Sequence, residues 1–234
     1  MKYLLAALLL FSINAYADKL TLTPYNTVNL RGPVTDASMM SVQLNLAHLN
    51  KIRGIKAYPI YLVLDSPGGS IESGLSFIEY ARTIRNLQTV SIFSASMASG
   101  IVEAIPGKRY ITDNGVIMFH RAKGGFEGQF EEGEVEQELA LFKAIVKGME
   151  QTNADRLGLS LQDYKDKAKD EYWLYGKAAV AAKASDASAN LYCTQTLIDK
   201  RDAATVQTMF GAAIIEFSGC PLFRTPLKVK NDDE

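Results

Sequence analysis

Residues 90–105, VSIFSASMASGIVEAI, change their period halfway along. Val90 to Phe93 read as a β-strand, small residues surround Met97, and the apolar positions beyond Gly100 follow helical spacing. A strand-to-helix joint presents its turn residues at the end of a sheet, where α/β folds gather their sites. Ser94, Ser96 and Ser99 all stand at this joint. Close packing of a helix start on a sheet favours small residues by itself, and Ser94 and Ser99 read as such packing residues. Ser96 is placed differently, at the N-terminus of the helix starting near Met97. Unpaired N–H groups and the helix dipole there favour developing negative charge.

Upstream, YPIYLVLDSPGG (residues 58–69) is a β-rich run halted at Ser66-Pro67-Gly68-Gly69, and a helix is expected over 70–86. Before it, TVNLRGPV (27–34) reads as a strand closed by a Gly-Pro turn. Residues 35–52 then form a helix behind an Asp36 or Ser38 cap. Downstream, RYITDNGVIMFH (109–120) is a strand, and 131–150 a helix whose Val135, Leu139, Phe142, Val146 and Met149 make a narrow apolar seam. That helix either lies on its own domain or projects against a partner subunit. Residues 154–186 read as helical with a break near EYWLYG, followed by one further helix and a polar, acidic end that frays. Strands alternating with helices predict a layered α/β fold of repeated ββα or βα units.

The first residues, MKYLLAALLLFSINAYA, carry one charge at Lys2, an apolar run, and the small-x-small ending Ala15-Tyr16-Ala17. This is the pattern of a secretory signal peptide cut between Ala17 and Asp18. A membrane span needs about 20 apolar residues, and Ser12 and Asn14 interrupt the run before that. The division expected is 1–17 signal peptide, 18–186 main domain and 187–234 C-terminal extension. A formal charge of −1 offers no electrostatic reason for a nucleic-acid partner. The chain is expected to be periplasmic or secreted and not membrane-spanning after cleavage. Its two cysteines, Cys193 and Cys220, are expected to pair in that oxidising setting.

The chain has two histidines. His48 sits mid-helix in LNLAHLNKI and reads as a packing or surface residue, whereas His120 ends a strand. A serine hydroxyl becomes a useful nucleophile when an adjacent base takes its proton and a carboxylate orients that base. Ser96 with His120 is the pair that fits. The SPGG turn offers the Gly69 N–H as a second oxyanion donor beside the N-terminus of the helix following Ser96.

YLVLDSPGGSIESG, SASMASG, VIMFHRAKGGFEGQ and the helix after them resemble, in order and spacing, the proteolytic subunit of the Clp protease. The resemblance covers about residues 28–186. It implies a ClpP/crotonase-like fold of stacked ββα units with a projecting handle helix, and a Ser-His-Asp peptidase assembled in stacked rings. Carried across, Ser96 is nucleophile, His120 general base, and the Gly69 and Met97 N–H groups the oxyanion hole. Asp170 in KDEYW matches the third member, with Asp166 a rival. The handle helix would join copies in a homo-oligomer, and no metal or organic cofactor is called for.

The sequence departs from the family at Phe93 and Ser94 before the nucleophile, Ala98 after Met97, and Ala122 after His120. Export would remove the chain from the ATP pool, so no ATPase partner is expected, and the substrate would be a peptide or unfolded segment. Two other readings remain. One is a catalytically silent oligomeric scaffold. The other is an enzyme like the signal peptide peptidase SppA, using a lysine such as Lys108 or Lys123.

Overall fold

The computed structural model describes residues 17–54, 56, 58–124, 131, 133–208 and 211–231. All of the expected signal peptide but Ala17, most of the GGFEGQ loop and the last three acidic residues of the tail lie outside them.

The chain order is β1 (Asp18–Leu22), β2 (Thr27–Arg31), α1 (Asp36–Arg53), β3 (Ile60–Ser66), α2 (Ile71–Ala81), β4 (Leu87–Ala95), α3 (Met97–Ala104) and β5 (Arg109–Phe119). Then come α4 (Glu134–Leu157), α5 (Leu161–Ala168), β6 (Tyr172–Tyr175), α6 (Lys177–Ala181), β7 (Ala187–Cys193), α7 (Gln195–Asp199), β8 (Arg201–Thr208), β9 (Gly211–Ser218) and β10 (Lys228–Asn231). The main sheet runs β1-β7-β5-β4-β3-β2 with every neighbour parallel, and β6 pairs antiparallel with β5. The α/β class with a parallel sheet is therefore as expected. Strand β3, IYLVLDS, has the nearly continuous apolar run of a parallel strand covered on both faces. Ile60, Leu62 and Leu64 pack with α1, α2 and α3 on one side, while Tyr61 and Val63 face a separate cluster on the other. Each such aliphatic side chain contributes roughly 1.5–3 kcal/mol by leaving water.

Strands β1 and β2 lie at opposite ends of that order but are joined by only Thr23–Asn26. Five peptide steps reach at most ~19 Å, whereas five strand spacings measure about 24 Å. A flat sheet cannot satisfy both. Parallel neighbours rotate by about 20–25° each, so the sheet coils until its two edges approach. Leu20 and Leu22 of β1 accordingly share a buried cluster with Tyr61 and Val63 of β3, and the Asn26 side chain donates to the Thr21 carbonyl at 3.0 Å.

Several element ends differ from expectation. The cap of α1 is Thr35, whose side chain accepts from the Ser38 N–H while Ser38 returns a bond to the Thr35 N–H. Helix α2 ends at Ala81, five residues early. The break at EYWLYG is a strand, β6, whose Tyr172 and Leu174 pack with the α4–α6 cluster. The handle helix starts at Glu134 and continues to Leu157. The largest difference is in the tail, which is mostly β-structure: β8, β9 and β10 form a second, antiparallel sheet. The expected helix is there as the single turn and a half of α7. Strand β7, at the head of the region expected as an extension, lies inside the main sheet. Leu197 of α7 and Cys220 then fill the concave face of the coil, and Cys193 and Cys220 are disulfide-bonded with Cα atoms 5.9 Å apart.

Candidate active site

Ser96 occupies the one-residue joint between β4 and α3 at φ 56°, ψ −122°, a region that side chains with a Cβ rarely adopt. Three contacts hold it there. The Ser96 N–H donates to the Met118 carbonyl of β5 at 3.0 Å. The buried Ser99 hydroxyl lies 2.6 Å from the Ser96 carbonyl and 2.8 Å from the Met118 carbonyl, one proton shared between two acceptors. Gly100 N–H closes the first turn on the Ser96 carbonyl at 3.2 Å. Ser99 therefore does more than pack: it ties the nucleophile's backbone to the strand that ends at His120. A serine three residues after a helix cap is too common a pattern for sequence alone to have given it this work. Ser94 is fully buried, and its hydroxyl donates to Ser91 at 2.9 Å beside the register shift in β4.

Strand β5 ends at Phe119, so His120 follows the sheet directly. Its Nε2 lies 2.7 Å from Ser96 Oγ, hydrogen-bond distance for transfer of the serine proton. Two residues that are adjacent to strand ends, and 24 apart in sequence, meet because β4 and β5 are parallel neighbours with Ala95 registered on Met118.

Met97 opens α3, and the first N–H groups of a helix have no intrahelical acceptor. The Ser66–Gly69 turn lies against it. A single bridge couples this turn to Val34, made by the Val34 N–H to the Gly68 carbonyl at 2.8 Å and the Ser70 N–H to the Val34 carbonyl at 2.9 Å. The Gly69 N–H takes no part in that bridge. Both glycines have positive φ, 88° at Gly68 and 150° at Gly69, and neither has room for a Cβ: at Gly68 it would lie 2.7 Å from the Met97 nitrogen. Absence of a side chain lets the turn approach the nucleophile.

Gly69, Ser96, Met97 and His120 line one cleft of about 240 Å³ with Val146 and Met149 of α4. Deeper in, Glu150 pairs with Lys165 at 3.2 Å, and the Asn153 amide donates to the Tyr164 hydroxyl at 2.9 Å. Burial pushes that tyrosine up to about 12, so it stays neutral. Phe93, one of the departures flanking the nucleophile, turns toward β6 and lies beside Trp173 with the rings tilted at 41° and their centroids 6.4 Å apart. Ala98 is buried, while Ala122 lines the cleft.

Asp170 is not drawn into this group. It is exposed two residues before β6, whose Tyr172 registers with Phe119 beside His120, and no hydrogen bond joins it to His120 among the described residues. Asp166 is exposed and accepts from Gln162 at 2.9 Å. Lys123 also lines the cleft, whereas Lys108 pairs with Asp18 at 2.7 Å elsewhere. Among the described residues no three His, Cys, Asp or Glu side chains are grouped to hold a metal, and no helix is long and apolar enough to cross a membrane.

A second buried cluster braces α3 from behind. Arg109, at the start of β5, bridges Glu103 of α3 and Asp186, and the Asp186 contact is 2.6 Å. Burial raises Glu103 to about 7 against the opposing pull of Arg109 and Arg156. At Asp186 burial also acts upward, but the hydrogen bonds and charge of Arg109 outweigh it and hold the carboxyl below its usual range. Nothing in the one-dimensional pattern marks Glu103 as an internal charge, because its neighbours on α3 are all apolar or small.

Residues 14–182 match the Clp protease family. The ATP-dependent Clp protease proteolytic subunit of Streptococcus gordonii is 29% identical over 157 residues, covering 66% of this chain and 79% of the relative. That of Streptococcus mutans is 28% identical, covering 64% and 77%. The ATP-dependent Clp protease proteolytic subunit 2 of Cutibacterium acnes is 30% identical over 124 residues, covering 52% and 58%. Since the match includes both strand ends that carry Ser96 and His120 and most of the coiled parallel sheet, the chain belongs to the Clp protease family.

Proposed function

We propose that the chain is an exported, ATP-independent serine endopeptidase that cleaves peptides or unfolded segments. The observation that carries this reading is the 2.7 Å contact between Ser96 Oγ and His120 Nε2 beside the N–H groups of Met97 and Gly69. His120 takes the Ser96 proton as Oγ attacks a peptide carbonyl, and the oxyanion forms between those two N–H groups. The imidazolium then protonates the leaving amine, and water activated by His120 hydrolyses the acyl-enzyme. Asp170 is assigned the orienting role at Nδ1 on the likeness of KDEYW to the family's pattern.

Export rests on the N-terminal pattern and fits the Cys193–Cys220 disulfide, which persists in an oxidising compartment. Outside the ATP pool an unfoldase partner has no fuel. Homo-oligomerisation is proposed through α4, where Val135 and Leu141 are exposed while Phe142, Val146 and Met149 are partly covered by the chain itself.

A catalytically silent scaffold is the second reading, favoured by the separation of Asp170 from His120. Fluorophosphonate labelling of the mature chain decides between them. Labelling at Ser96, located by mass spectrometry and lost in Ser96→Ala and His120→Ala, is the result expected of an activated serine. A folded, oligomeric sample that takes no label favours the scaffold.

A further inference from the structure

The C-terminal extension is fastened to the strands that carry the Ser66–Gly69 turn. Arg31, the last residue of β2, donates to three carbonyls of the extension: Ser218 at 3.0 Å, Cys220 at 2.8 Å and Phe223 at 3.1 Å. Asn29, two residues earlier on the same face, donates to the Gly219 carbonyl at 2.7 Å. Arg224 forms a forked pair with Asp65, with Nε 2.7 Å from one carboxylate oxygen and the second guanidinium nitrogen on the other. Such two-point pairs fix orientation as well as distance. Asp65 immediately precedes Ser66-Pro67-Gly68-Gly69, and its carbonyl accepts the Gly32 N–H at 3.0 Å just before Val34 bridges Gly69. The segment 218–224 is thus held at Cys220 by the disulfide to β7 and at Arg224 by β3.

We propose that the extension positions the oxyanion turn, with Arg224 and Arg31 as positioning residues that act on Gly69 through Asp65 and the β2 end. The main sheet leaves β2 as an edge strand. The Ser66–Gly69 turn leaves β3, and the end of β2 that bridges it at Val34 has no hydrogen-bonded strand on its outer side in the main sheet. The extension supplies the missing restraint from the concave face. This inference rests on the peptidase reading for its effect on catalysis, but the mechanical coupling has a readout of its own.

Arg224 is exposed enough to be replaced without a cavity, so Arg224→Ala is the primary variant and Arg224→Lys its conservative partner. Two quantities are measured: the rate of Ser96 labelling by a fluorophosphonate at saturating probe, and hydrogen exchange of the segment containing Ser66–Ser70. In Arg224→Ala the labelling rate is expected to fall about tenfold with the half-saturating probe concentration unchanged, a partial misplacement of one donor. Exchange of the Ser66–Ser70 segment should rise several-fold while α2 and β4 keep their protection. Arg224→Lys, which keeps the charge and loses the fork, should recover part of both. A purely structural contribution would lower protection across the domain instead. An unlabelled wild type would refute the peptidase reading, and the exchange result would still decide the coupling. Exchange of Ser66–Ser70 unaltered in folded Arg224→Ala overturns the proposal.

Discussion

Gly68→Ala tests whether the closeness of the SPGG turn to the nucleophile matters. At Gly68 a Cβ would sit 2.5 Å from the Ala95 carbonyl oxygen, 2.7 Å from the Met97 nitrogen and 2.7 Å from Ser96 Cβ. Ordinary contacts between heavy atoms lie near 3.5–4.0 Å, so the turn must retreat from α3 by about 1 Å. Backbone in the left-handed region at φ 88° adds about 1–2 kcal/mol of strain for alanine. A 1 Å misplacement at a reacting centre costs about 10²-fold, and outright loss of an oxyanion donor costs about 10²–10³-fold. The rate of Ser96 labelling by a fluorophosphonate should therefore fall by about 10²-fold. Gly54→Ala is the control, because Gly54 has φ 57° but open space around its Cβ position. It carries similar backbone strain, at the end of α1, with no clash. Gly54→Ala should lose stability in urea through backbone strain alone and keep its reactivity, whereas Gly68→Ala should lose more stability and its reactivity as well. Folded Gly68→Ala that labels within threefold of wild type would refute the reasoning.

Three further outcomes are expected. Asp170→Asn should slow Ser96 labelling by up to about 10⁴-fold through loss of the tautomer-fixing partner, while Asp166→Asn stays near wild type; equal effects would remove the assignment of Asp170. Reducing the Cys193–Cys220 bond, which spans 27 residues, should lower stability by about 3–4 kcal/mol on loop-entropy grounds, read as a shift of the urea midpoint with and without reductant. Glu103, raised to about 7 by burial, holds its proton more tightly when folded than when unfolded. Its contribution is full below about pH 4.3 and is lost as pH rises to about 7, worth up to about 4 kcal/mol. Urea midpoints at pH 5 and pH 8 should show a smaller decline in Glu103→Gln than in wild type, and parallel declines would contradict this.

The parts of the site that lie next to strand ends were legible from local signals. Ser96 sits where β-period gives way to helical period, His120 closes an apolar run, and Ser66-Pro67-Gly68-Gly69 can only be a turn. Each depends on a few adjacent residues, and local propensity reports that well. Ser99 and Glu103 were not legible in their roles, because what they do depends on Met118, Arg109 and Asp186, contacts 19, 6 and 83 positions away in the chain. Strand β6 was hidden for a similar reason. Its four residues form a strand by pairing with β5, and no four-residue window carries a period that could announce it.

The tail shows the same division more sharply. Its cysteines pointed to a single possible bridge, yet the alternation expected of β8 and β9 is blurred by alanine and threonine, and only antiparallel pairing between them makes the sheet. By itself, the order of residues determined an α/β chain with a serine at one strand-to-helix joint, a histidine at the next strand end and a glycine turn before both. Tertiary structure decided that these three converge, since parallel pairing sets neighbouring strand ends side by side whatever their separation in sequence. It also decided that the sheet coils, because a short β1–β2 connection cannot span a flat one, and that the concave face so formed is filled by the extension.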